Sequence, residues 1–151
     1  MTAQSSQSPT ERFHALQASG QLIPDPDKQH EIALIQLLYE RIISESEKNN
    51  SRLGWLPWRR DMPKEQEKTG LYLWGDVGRG KSMLMDVFFD SLPATLHKRR
   101  EHFHRFMSGI HASLHKERNE NPENSDPLKT VVRDIRESLD VLCLDEFQVH
   151  D

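Results

Sequence analysis

Cysteine is almost missing from this chain of 151 residues: there is one, Cys143, so an internal disulfide is excluded. Its place inside an apolar run predicts a buried small hydrophobe in a reducing compartment. Long apolar stretches are missing too. Hydrophobic residues make up 35% of the chain and mean hydropathy is -0.76, and no run is long enough to span a bilayer. That fraction is low beside the roughly 45–50% of an ordinary domain, glycine included, and fits an incomplete core joined by polar linkers. The opening Met-Thr-Ala-Gln-Ser-Ser-Gln-Ser has neither an apolar core nor an arginine, unlike a secretory signal or a mitochondrial presequence. The cytoplasm is the expected location. Nor is there an excess of positive charge. A net charge of -4 and a pI of about 6.1 give no general attraction to nucleic acid. The local basic run Lys98-Arg99-Arg100 reads as a solvated connection between a helix and a strand.

What is present is a phosphate loop. Residues 75–82 read Gly-Asp-Val-Gly-Arg-Gly-Lys-Ser and satisfy G-x-x-x-x-G-K-S/T at every specified position. The preceding Gly70-Leu71-Tyr72-Leu73-Trp74 is short, apolar and aromatic, as a buried strand would be. The following Ser82-Met83-Leu84-Met85-Asp86-Val87-Phe88-Phe89 keeps an apolar face at helical spacing. A triphosphate is a dense anion, and successive backbone N–H groups leading into a helix N-terminus form a matched cradle for it. The nucleotide-binding run is therefore Gly75, Asp76, Val77, Gly78, Arg79, Gly80, Lys81 and Ser82. Gly75, Gly78 and Gly80 let the backbone turn tightly and approach the phosphate oxygens. Lys81 is expected to reach the β- and γ-phosphates, and the Ser82 hydroxyl to ligate Mg²⁺. Arg79 is not specified by the motif, and its side chain is expected to face solvent.

A second motif supplies carboxylates. Val141-Leu142-Cys143-Leu144 followed by Asp145-Glu146 is a continuous apolar run ending in two acids. Such runs suit parallel strands covered on both faces, and ligands bind at the carboxyl ends of these strands. Asp145 is the expected Mg²⁺ ligand, directly or through water, and Glu146 the general base that polarises the attacking water. The sequence has Asp145-Glu146-Phe147-Gln148 where a GTPase more often has Asp-x-x-Gly, and no Asn-Lys-x-Asp guanine reader occurs. ATP is the expected nucleotide.

Along the chain, Ser8-Pro9-Thr10-Glu11 is a capping box with proline at the first helical position, and Gly20 marks a stop. Asp25-Pro26 opens a longer helix carrying Ile32, Ile35, Leu38, Tyr39 and Ile42 on one face. Residues 49–68 are polar and without period, a linker or insertion in which Trp55 and Trp58 are expected to tuck against the protein body. Pro93 closes the helix after the phosphate loop. Arg99 to His104 then reads as a strand, Phe106, Met107, Ile110 and Leu114 as a helix, and Asp126-Pro127 as the cap of another helix. In this reading His102 and His104 share a strand face and His111 and His115 a helix face, with no H-E-x-x-H pattern to argue for zinc. The pattern predicts an α/β fold with a parallel sheet flanked by helices. Its expected divisions are an N-terminal helical segment (1–48), a linker (49–69) and the first part of a P-loop ATPase domain (70–151).

Residues 70–82, with His102-Phe103-His104-Arg105-Phe106-Met107, Asp126-Pro127-Leu128 and residues 141–149, resemble the ZapE family of bacterial cell-division ATPases and their mitochondrial AAA+ relatives. The resemblance runs from about Pro9 to Asp151. It implies an AAA+-like ATPase that binds FtsZ and weakens its polymers in an ATP-dependent way, with self-association open. The family continues beyond the second motif, so the chain reads as an N-terminal fragment. Lacking a sensor strand and an arginine finger, the latter worth roughly 10³ to 10⁵ in kcat, it is expected to hydrolyse ATP poorly. Three other readings stand beside this one. A helicase-loader ATPase shares both motifs and would bind a replicative helicase and single-stranded DNA. A small-molecule phosphotransferase need not place Glu146 beside Asp145. A non-hydrolysing adaptor would bind nucleotide or FtsZ without turnover.

Overall fold

Helix α1 (Pro9–Ala18) starts at the capping box that its sequence encodes. The Ser8 N–H donates to Glu11 Oε2 at 2.8 Å, and the Ser8 hydroxyl accepts from the Glu11 N–H at 3.3 Å. These bonds to Ser8 hold the Glu11 carboxyl below its ordinary pKa. At the other end the chain leaves the helix through Gly20, whose φ of 74° is left-handed and suits a residue without a Cβ. This computed structural model describes residues 7–23, 25–50, 70–73 and 80–147. The chain divides into two units, residues 1–93 and 94–151.

The first unit packs α1, α2 (Asp27–Asn50) and α3 (Lys81–Ser91) on one another. Phe13 from α1, Ile32 and Ile35 from α2, and Leu84, Val87 and Phe88 from α3 are buried. The expected stripe of α2 is therefore the packing face, with Leu38, Tyr39 and Ile42 half-buried along it. Polar ties fix the helices in register. The Thr10 N–H and hydroxyl both donate to Gln36 Oε1, at 3.1 and 3.0 Å. Arg12 Nη2 donates to the Asp90 carbonyl at 3.3 Å, placing a cation at the negative end of α3. Ser91, fully buried, donates its hydroxyl proton to the Val87 carbonyl at 2.7 Å.

Among the described residues, the expected strand before the phosphate loop is not formed. Residues 70–73 lie outside any strand, with Leu71 37% and Tyr72 60% exposed. A strand is held by its neighbours' hydrogen bonds, and no described strand borders this segment. Trp55, Trp58, Trp74 and nearly all of the expected linker lie outside the described residues.

The second unit is a parallel strand pair whose crossover carries two helices: β1 (Lys98–His102), α4 (Phe103–Glu120), α5 (Pro127–Ser138) and β2 (Val141–Asp145). Parallel strands cannot be joined by a tight turn, and helices supply the return path. The register pairs Lys98 with Val141, Arg100 with Cys143 and His102 with Asp145. Two sequence expectations change here. The basic run 98–100 is not a connection but the strand itself. That strand also ends at His102, so His104 sits on α4 and shares no strand face with His102. His102 instead serves as the N-cap position of the helix. Helix α5 begins as expected, with the Asp126 carboxylate accepting from the Lys129 N–H at 3.1 Å. The α/β class is observed, with a sheet of two parallel strands among the described residues.

The α5 cap generates a simple stability prediction. Asp126→Ala lowers unfolding free energy by about 1 kcal/mol, whereas Asp126→Asn, an equally good cap, retains it. Urea denaturation of the two variants beside the parent reads the difference.

Candidate functional site

The sequence-defined site has members in both units, and each part has its own geometry. In the first, Gly80 is the N-cap residue of α3, with φ 77° and ψ 19°, and Lys81 and Ser82 are the first two helical residues. The left-handed conformation explains the glycine: an L side chain would be strained there. Space is restricted as well, since an added Cβ would lie 2.9 Å from Lys28 Cε and 3.2 Å from Lys28 Nζ. Lys28 belongs to α2 and pairs with Asp25 Oδ2 at 3.2 Å. The first turn of α3 has backbone N–H groups that the helix itself cannot satisfy, and its dipole favours an anion. Gly75, Asp76, Val77, Gly78 and Arg79 lie outside the described residues.

In the second unit, Asp145 ends β2 and Glu146 follows it out of the strand. The parallel register brings the β1 edge and the start of α4 to meet this segment residue by residue. Arg100 Nε donates to Asp145 Oδ2 at 2.9 Å, and the ion pair is closed by Nη2 at 2.8 Å from the same oxygen. The pair is largely shielded, with side-chain exposures of 24% for Arg100 and 15% for Asp145. His102 Nδ1 lies 3.9 Å from Glu146 Oε2, where both side chains are open to solvent. Phe103 meets Phe147 edge to face, with ring centroids 4.4 Å apart. The His-Phe block therefore acts locally, as a wall along residues 145–147.

Glu146 has a φ of 55°, the only positive φ at a non-glycine residue among those described. A left-handed conformation at such a residue costs about 1–2 kcal/mol, a form of strain that concentrates at functional positions. Cys143, beneath Asp145 on the same strand face, is buried. Desolvation pushes its thiol up from 9.0 to about 11, with the Asp145 charge adding to the rise and Arg100 and Lys98 opposing it.

Ser82 in the first unit and Asp145 in the second each carry a hard oxygen donor of the kind Mg²⁺ takes. No cluster of three or more metal-ligating side chains occurs among the described residues. A single oxygen of this kind suits an ion held largely by phosphate oxygens and water, as Mg²⁺ commonly is. Sequence reasoning missed Arg100. Its signal was present in the alternation of the strand: residues 100 and 102 share a face, as do 143 and 145.

Comparison with known proteins gives a consistent result. The family model for AFG1-like ATPases matches residues 7–151. The cell division protein ZapE of Escherichia coli K12 is 34% identical over 149 residues, covering 95% of this chain and 38% of the relative. Lactation elevated protein 1 homolog B of Danio rerio is 36% identical over 104 residues, covering 62% of this chain and 20% of the relative. An uncharacterised protein of Schizosaccharomyces pombe is 40% identical over 83 residues, covering 54% of the chain and 18% of the relative. The chain thus spans well under half the length of these relatives. No solved structure matches it significantly.

The site geometry makes two predictions. Glu146→Gly is more stable than Glu146→Ala by about 1 kcal/mol, because only glycine relieves the left-handed strain; equal urea midpoints would show that the strain is absent. For Cys143, the folded thiol stays protonated until about pH 11 while the unfolded thiol ionises near 9.0. Its contribution to stability is complete below pH 9.0 and is lost as pH rises toward 11. Native protein at pH 8 therefore reacts slowly with Ellman's reagent, at a rate that urea raises sharply.

Proposed function

The chain belongs to the AFG1-like ATPase family, and from that membership we propose that it binds Mg²⁺-ATP at residues 75–82 and contributes to ATP hydrolysis in the longer protein. The reading is carried by one observation. The full phosphate-loop sequence runs directly into α3, with left-handed Gly80 at the cap and Lys81 and Ser82 at its first turn. In this reading the loop amides and Lys81 neutralise the phosphates. Ser82 and Asp145 would hold the metal, which would supply charge neutralisation to the phosphates. Glu146 takes the proton from the attacking water. Residues 70–151 form the first part of the ATPase domain, following the N-terminal helical segment (1–48) and the linker (49–69).

The E. coli relative is a cell division protein by name, and we extend that role to this chain, with FtsZ polymers as the object of the ATPase. By the same resemblance the protein would work in the cytoplasm. Separately, no described helix is long and apolar enough to cross a membrane.

Titration of the purified chain with fluorescent ATP and Mg²⁺, beside Lys81→Ala, tests the nucleotide site. The variant should lose charge-assisted contacts worth roughly 1.5–3 kcal/mol, about tenfold or more in affinity. Equal affinity of variant and parent would sink the assignment.

A further inference from the structure

We propose that Arg100 is a latch on Asp145, a counter-ion that a nucleotide-bound divalent cation must displace before the aspartate can serve it. The proposal rests on the reading of Asp145 as the metal-side aspartate and adds a residue that none of the sequence motifs contains. Arg100 Nε donates to Asp145 Oδ2 at 2.9 Å, and its Nη2 stands 2.8 Å from the same oxygen. The contact is built into the sheet. Arg100 and Asp145 lie on the facing strands β1 and β2, two pairing positions apart, on a shared face fixed by the Arg100–Cys143 and His102–Asp145 pairs. Partial burial makes the pair stronger than a surface ion pair, because water competes less for either charge.

A dication served by Asp145 would stand within a few ångströms of this guanidinium. Like charges at that range repel strongly where water is partly excluded. Arg100 and the metal therefore cannot both share the carboxylate at full strength. Arrival of the metal loosens Arg100, and the released guanidinium is then available to anionic groups nearby. The arrangement resists occupation of Asp145 by a free cation and favours a cation that arrives with phosphate, whose negative charge offsets the arginine.

Mn²⁺ provides the probe, since its free and bound forms are distinguished by electron paramagnetic resonance. The chain is titrated with Mn²⁺ in the presence of a non-hydrolysable ATP analogue, comparing the parent with Arg100→Gln, Arg100→Lys and Asp145→Asn. Arg100→Gln should bind the metal about fivefold to tenfold more tightly, the gain expected on removing a partly buried competing ion pair. Arg100→Lys keeps the charge without the paired N–H geometry and should fall between parent and glutamine variant. Weaker or unchanged binding in Arg100→Gln overturns the latch, since a residue that merely orients Asp145 would lose affinity when removed. Asp145→Asn separates the two levels of the argument. If it leaves Mn²⁺ binding intact, Asp145 is not the metal-side aspartate and that underlying reading fails. If it weakens binding while Arg100→Gln does not strengthen it, only the latch fails. Should Arg100→Gln fold poorly, Arg100→Lys decides alone: tighter binding than the parent supports the latch, and equal or weaker binding overturns it.

Discussion

The parallel register that sets Lys98 against Val141 controls the whole carboxyl-end edge of the second unit. A slip of one residue would turn Arg100 to the opposite face of the strand pair. It would also leave Asp145, only 15% exposed, without a cation, and an uncompensated charge in that setting is costly. The register and the ion pair therefore support each other. The bonds of the ladder place the two side chains, and their attraction penalises the alternative pairings. Helices α4 and α5 close the crossover that a parallel pair requires. Their packing on each other, and of α4 on both strands, is a consequence of that topology.

The two parts of the candidate site draw on different physics. The Gly80–Lys81–Ser82 junction is encoded locally: a left-handed glycine, then a helix start with unsatisfied N–H groups. Its chemistry follows from adjacent residues and a short-range motif can report it. The Asp145 neighbourhood is encoded by strand pairing between segments far apart in sequence. Arg100, His102 and Phe103 reach Asp145, Glu146 and Phe147 only because β1 lies beside β2. Glu146 adds a conformation that its own side chain disfavours, so the tertiary setting must hold it.

This difference explains what was legible in the sequence. The Ser8 and Asp126 caps, the helical stripe through Ile32 and Ile35, and the apolar run into Asp145 follow from interactions within a few residues, and the structure contains them. Residues 70–73 have strand composition, yet composition does not supply a hydrogen-bonding neighbour. The basic run 98–100 has the look of a solvated connection because its countercharge, Asp145, is far away in sequence. Lys, Arg and Arg are poor advertisements for a half-buried strand until that partner is known. The strand boundary at His102 was missed for a related reason: the same His-Phe block supplies both the end of β1 and the first residue of α4.

An aspartate neutralised by arginine is a weak trap for a free cation. Mg²⁺ gives up its hydration shell reluctantly and gains most from anionic oxygens with little competing positive charge. Asp145 carries Arg100, and the described residues contain no cluster of three or more metal-ligating side chains. On the proposed function, the remaining negative charge would come from the nucleotide. A triphosphate supplies several charges at once, and the α3 N-terminus together with Lys81 can accept them without help from the carboxylates. On the proposed function, metal and nucleotide would thus bind as one species, with the phosphate loop contributing most of the attraction. Asp145 would then add its oxygen to the metal and tighten its hold, and the ion pair in β1–β2 would determine by how much.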